Sequence, residues 1–134
     1  MSDIKSIHHI NFLVRDLQAA SRQMQAVLNS DPIVEQLPGR QVQTARFYLN
    51  GIWLVLVQPL DMASAVGRIL QQRGEGLFLL SLEVDSLEDT AAALQQRGVD
   101  TCADPRQGLQ DWRVQDLSVG EGLGPVLQIC KPGA

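Results

Sequence analysis

One pattern occurs twice in this chain of 134 residues, and no other feature restricts its fold as much. The segment from His9 to Met24 (HINFLVRDLQAASRQM) is answered seventy positions later by Leu79 to Leu94 (LLSLEVDSLEDTAAAL). Val14 matches Val84, Leu17 matches Leu87, Ala20 matches Thr90 and Met24 matches Leu94. Each copy is a β-rich run that passes straight into an amphipathic helix, so the chain reads as two related half-domains. Halves of this kind commonly stack around a site, which makes the residues facing their join the functional question.

The length suits one domain with a real core. Val55 to Val57 is too short, and too soon followed by Gln58 and Pro59, to cross a membrane. No basic leader precedes an apolar stretch at the start, so a cytoplasmic protein is the expectation. Eleven basic residues against fifteen acidic ones give a net charge of −4, and the lysines are Lys5 and Lys131 alone. Without a basic block, nucleic acid is not an expected partner, and neither is a membrane. Cys102 and Cys130 read as reduced thiols, the second as a small core or cavity-wall residue.

Local patterns set out the elements. Ile7 to Val14 is a strand, Asp16 a helix N-cap, and Leu17, Ala20, Met24 and Leu28 the buried stripe of the helix that follows. Ile33 to Gln36 is a short strand. Gln43 to Leu49 and Ile52 to Val57 form a hairpin around Asn50-Gly51. A helical connector covers Met62 to Gln72. Leu77 to Val84, the Ser86 cap, the stripe Leu87, Ala91 and Leu94, and the stop at Gly98 repeat the plan. Trp112 to Val119 and Val126 to Cys130 are strands around a glycine-rich turn, Gly120 to Pro125. This gives an α+β fold of two βαβββ modules: module one 5–60, a linker helix 61–76, and module two 77–131 of a single domain.

Strand parity then sorts the side chains. The helix stripes bury against Ile10, Phe12 and Val14, and against Leu80, Leu82 and Val84. The opposite face carries His9, Asn11 and Leu13, then Leu79, Ser81 and Glu83. Polar groups on such a face need hydrogen-bond partners or a ligand. His8 points the other way and reads as a surface or edge residue.

The motifs Ile7-His8-His9-Ile10, Arg73-Gly74-Glu75-Gly76-Leu77, Leu82-Glu83-Val84-Asp85 and Gly124-Pro125-Val126-Leu127-Gln128-Ile129 resemble those of the vicinal-oxygen-chelate superfamily, the glyoxalase and bleomycin-resistance fold. Within it the likeness is nearest to the methylmalonyl-CoA epimerases. The resemblance implies a cup-shaped mixed β-sheet, and a homodimer as the usual assembly. It also implies metal-ligand positions at His9, Val55, Leu79 and Gln128. Val55 and Leu79 cannot bind an ion, and an ordinary divalent site needs three or four protein ligands. The expectation is therefore no metal of the family type and no cofactor. The acidic base of such enzymes has no match around Pro38-Gly39-Arg40, where Glu35 is the nearest carboxylate.

The remaining candidates divide between chemistry and packing. His9 is a general acid or base, or a relic that hydrogen-bonds a neighbouring side chain, with ligand contact expected in either case. Glu83 is a base of raised pKa, or the partner of a cross-strand arginine, Arg46 or Arg113. Trp53 offers a stacking surface or fills core, Arg46 and Tyr48 anchor an acidic or phenolic group, Trp112 and Arg113 form a rim, and Gln128 faces inward. No Gly-x-Ser-x-Gly, Cys-x-x-Cys or His-Glu-x-x-His motif is present. Three readings follow. One is metal-independent binding of a small, partly apolar organic molecule. Another is a metal-independent isomerase, epimerase, cyclase or lyase working by proton transfer through His9 with Glu83 or Gln128. The third is an epimerase-like enzyme, or a partner-binding subunit with a vestigial cup.

Overall fold

The computed structural model describes residues 3–119 and 124–133. Its elements, in chain order, are β1 (Ile4–Leu13), α1 (Leu17–Leu28), β2 (Ile33–Leu37), a short 3-10 turn (Pro38–Arg40), β3 (Val42–Leu49), β4 (Ile52–Pro59), α2 (Ala65–Arg73), β5 (Gly76–Val84), α3 (Leu87–Gln96), β6 (Arg106–Gln107), β7 (Arg113–Asp116) and β8 (Val126–Lys131). The class is α+β, as the patterning implied. The chain forms two compact units, residues 10–77 and residues 1–9 with 78–134, so β1 contributes to both.

In the unit of residues 10–77 the strand order is β2-β3-β4-β1. The Asp16 carboxylate accepts from the Ala19 amide (3.1 Å) and starts α1. Asn29, left-handed at φ 52°, ends the helix. The α1 stripe Leu17, Ala20, Met24 and Leu28 packs on Val14, Ala45, Phe47 and Leu56. Each large side chain so buried contributes roughly 1.5–3 kcal/mol. The β3–β4 hairpin turns on Asn50 and Gly51, both at positive φ (44° and 109°), the conformation this residue pair tolerates best. Its register sets Thr44 opposite Val57, Arg46 opposite Val55 and Tyr48 opposite Trp53. Since Ala45 and Phe47 face α1, the alternate residues Thr44, Arg46 and Tyr48 point to the other face. The helix α2 starts three residues later than expected. The reason is a turn in which the Ser64 amide bonds the Asp61 carbonyl (3.0 Å) and the Ser64 side chain caps the Gly67 amide.

In the unit of residues 1–9 and 78–134 the order is β1-β5-β8-β7-β6. β5 runs parallel to β8, pairing Leu79 with Val126, Ser81 with Gln128 and Glu83 with Cys130. β7 is antiparallel to β8 and sets Asp116 opposite Gln128 and Val114 opposite Cys130. The helix α3 is capped by Ser86, whose hydroxyl accepts from the Asp89 amide (3.1 Å). Its face packs through Leu87 and Leu94 on Val84, Leu117 and Ile129. The strand expected from Trp112 is confined to Arg113–Asp116. Trp112 closes a turn instead, its amide bonded to the Leu109 carbonyl (2.9 Å) and its carbonyl to the Gly108 amide (2.8 Å). Of the glycine-rich turn, residues 120–123 lie outside the described residues. Among the described residues, no helix is long and apolar enough to cross a membrane.

Candidate functional site

The site residues of the second unit gather around the two adjacent histidines of β1. Alternation sends neighbouring strand residues to opposite faces, which gave His8 an exposed position. Instead His8 and His9 are both buried, 5% and 4% exposed. Their Nδ1 atoms lie 2.8 Å apart, a hydrogen bond. Trp112 accounts for the burial. Its ring meets His8 edge-on (centroids 4.6 Å apart) and stacks on His9 at 4.8 Å and 21°. Trp112 itself is 4% exposed, so it packs over the histidines rather than forming a rim. The Cys130 Sγ lies 3.6 Å from His8 Nδ1.

Electrostatics follow from this burial. Desolvation pushes the His8 pKa down. It pushes His9 to about 3, with His8 adding to the effect and the Gln128 side chain opposing it. Burial, then the Glu83 charge, push the Cys130 thiol up to about 12, against the Ser81 hydroxyl. At neutral pH the cluster therefore holds two uncharged imidazoles and a protonated thiol.

A second layer orients Gln128. Arg106 clasps Asp116 with two bonds, 3.0 and 3.4 Å. Asp116 Oδ1 accepts from Gln128 Nε2 at 2.9 Å. With its amide nitrogen committed, the Gln128 carboxamide is fixed in direction, and it bears on His9 through a hydrogen-bonding interaction that opposes the drop in the His9 pKa. The Ser81 hydroxyl, also buried, bears on the Cys130 sulfur. Both are buried polar groups on the face of His9 and Cys130, so they are candidates for contact with a ligand group.

Glu83 departs from expectation. It is a half-buried carboxylate 3.8 Å from Lys5, and Lys5 also bonds Asp85 at 3.0 Å. The cation beside it is thus a lysine of β1 and not Arg46 or Arg113. Arg113 is exposed and shares the parity of Gln115, away from Gln128. It lines a cleft of about 850 Å³ with Glu88, Gln95 and Asp100.

The unit of residues 10–77 holds its own group. Arg46 is buried, ion-paired with Glu35, and lies with its guanidinium carbon 5.3 Å from the Trp53 centroid. Tyr48, 56% exposed, is tilted against Trp53 at 5.0 Å. Of the two residues expected to anchor an acidic or phenolic group, Tyr48 is therefore exposed and Arg46 buried. The Asn11 Oδ1 is buried without a hydrogen-bond partner.

Sequence reasoning selected His9, Ser81, Trp112 and Gln128, which do gather in one unit, and Arg46, Tyr48, Trp53 and Val55, which gather in the other. It missed His8, Asp116 and Arg106, and it treated Cys130 only as wall. Cys130 shares parity with Gln128, and that signal was available. Asp116 was not separable from surface acids without the β7–β8 register.

The resemblance implied four metal positions, His9, Val55, Leu79 and Gln128. Val55 (0% exposed) and Leu79 (4% exposed) present buried hydrocarbon without electron pairs. Only His9 and Gln128 of the four carry donor atoms.

Residues 8–115 match a family model described as the Glyoxalase/Bleomycin resistance protein/Dioxygenase superfamily. The uncharacterized protein YqjC of Bacillus subtilis (strain 168) is 28% identical over 108 residues, which covers 80% of this chain and 74% of that protein. Methylmalonyl-CoA epimerase from Mycobacterium tuberculosis superposes with a TM-score of 0.90 at 22% identity, over 100% of this chain and 92% of the other. A variant of the Streptomyces coelicolor methylmalonyl-CoA epimerase, in complex with 2-nitronate-propionyl-CoA, gives 0.89 at 25% identity, over 98% and 99%.

Proposed function

The chain belongs to the Glyoxalase/Bleomycin resistance protein/Dioxygenase superfamily, and from that premise we propose that it binds a small, partly apolar organic molecule without the divalent metal of the metal-using members. One observation carries this reading: Val55 and Leu79 are buried hydrocarbon where an ion would need electron pairs. The chain keeps polar groups suited to an organic ligand. In the unit of residues 1–9 and 78–134 these are the buried Gln128 and Ser81, and in the unit of residues 10–77 Asn11, whose Oδ1 is buried without a hydrogen-bond partner. The unit of residues 10–77 has aromatic surface of its own in Trp53 and Tyr48.

The runner-up is a proton-transfer enzyme, an isomerase, epimerase, cyclase or lyase. The epimerase relative bound to a propionyl-CoA nitronate favours it and makes a CoA thioester one ligand class to test. Binding ranks above catalysis because an efficient base has a pKa near the working pH. His9, at about 3, is too weak a base for that work, and Glu83 is engaged by Lys5.

Methylmalonyl-CoA incubated with the protein in D2O and excess EDTA separates the two. Binding alone leaves the substrate α-proton unexchanged while ligand resonances broaden. Deuterium incorporation at that carbon, lost in a His9→Ala variant, establishes the enzyme. The assembly proposed is a homodimer in a cytoplasmic setting, its mass readable by light scattering.

A further inference from the structure

We propose that His8, His9 and Cys130 form a three-coordinate site for a soft monovalent metal ion, Cu(I), with the Gln128 carbonyl oxygen as a more distant fourth contact. This goes beyond the organic-ligand reading, and its test does not depend on that reading. Two of the three donors, His8 and Cys130, stand outside the four ligand positions of the family.

The donor atoms are already assembled. One nitrogen from each histidine and the Cys130 sulfur lie within 4.8 Å of one another, and all three residues are buried. Thiolate and imidazole together select Cu(I) or zinc over the hard ions. Metal–nitrogen bonds of about 2.0 Å and a metal–sulfur bond of about 2.3 Å in a trigonal plane put N and S about 3.7 Å apart, and the two N atoms about 3.5 Å apart. The His8 Nδ1 to Cys130 Sγ distance is 3.6 Å. The two Nδ1 atoms, at 2.8 Å, separate by roughly 0.7 Å when an ion replaces the proton they share.

Charge chooses between the soft ions. Two neutral imidazoles and one thiolate bring a charge of −1, so a monovalent ion makes the buried cluster neutral. The Glu83 carboxylate beside Cys130 is offset by Lys5, so a divalent ion leaves an uncompensated buried charge, which is costly. An independent observation points to the same spot. Gln128, 2% exposed, bears on the His9 ring. Asp116 holds its amide nitrogen, so the group it presents to His9 is its carbonyl oxygen. A His2Cys set with a weak axial carbonyl is a known copper arrangement. On binding, the Cys130 S–H bond breaks, the proton passes to solvent and the S–Cu bond forms. No electron is transferred.

The test is an anaerobic competition titration of Cu(I) against a chromophoric Cu(I) chelator, followed by X-ray absorption on the loaded wild-type protein. One equivalent should bind, with one sulfur and two nitrogen neighbours. Cys130→Ser and His8→Phe should each weaken binding by more than about a hundredfold, beyond the loss of an outer-shell partner. Cys102→Ser should bind as wild type does. The absorption spectrum needs no variant, so it decides the question even if a substitution unfolds the chain. The proposal is overturned by failure of the wild type to compete for Cu(I), by a metal shell without sulfur, by unchanged binding in Cys130→Ser, or by Zn(II) displacing Cu(I) from these residues.

Discussion

At the residue scale, the histidine pair ties stability to pH. Free histidine titrates at 6.5, whereas His9 in the folded chain is held at about 3, and His8 is also lowered. Between these values the unfolded chain binds protons that the folded chain refuses, so stability is full above 6.5 and falls as pH drops. The melting temperature should decline from pH 7 to pH 5, a window above the ordinary carboxylate range near about 4. A His8→Asn/His9→Gln variant should lose that slope, and an equal slope in both proteins would refute the assignment. Cys130, buried and with its thiol raised to about 12, should resist iodoacetamide in the native protein, while exposed Cys102 reacts. Mass spectrometry should count one alkyl group before denaturation and two after, and two before would contradict the burial. His9 was legible in the sequence because strand parity sets it with Asn11 and Leu13 and the resemblance gives it a ligand position. His8 was not, since alternation treats neighbours as opposed, and only the Trp112 ring covering both explains why neither meets water.

Elements were legible where a local device starts or stops them. Asp16, Ser86 and Asn50-Gly51 each act through bonds or dihedrals within a few residues of themselves, and each does what its residue type predicts. The Trp112 strand was misread because its first residue is spent on a turn with Leu109, a choice that composition alone does not reveal. The partner of Glu83 was misread because pairing depends on which strand lies alongside, a long-range fact. Each unit has its own core, so truncations should be separable. Phe47→Ala, at a side chain 0% exposed, should cost about 3–5 kcal/mol, and Ile129→Ala about 2–5 kcal/mol. Urea unfolding reads both, and a loss below about 1 kcal/mol at either position would show that the packing around it collapses to fill the space.

For the whole molecule, the repeat and the motifs were enough to place the chain in its superfamily, while the chemistry was legible only as a loss. Val55 and Leu79 are buried hydrocarbon, the ground for proposing that no family-type ion is held, and the polar groups that remain do not name a ligand. Fold alone does not assign the activity, because the same architecture serves unrelated reactions. The central claim is that this chain holds an organic molecule without a divalent ion. Native mass spectrometry of the protein purified without added ligand, with metal analysis of the same sample, tests it most directly. The account predicts a retained small organic compound and no stoichiometric divalent metal. One equivalent of a divalent ion bound through His9 and Gln128 would contradict it.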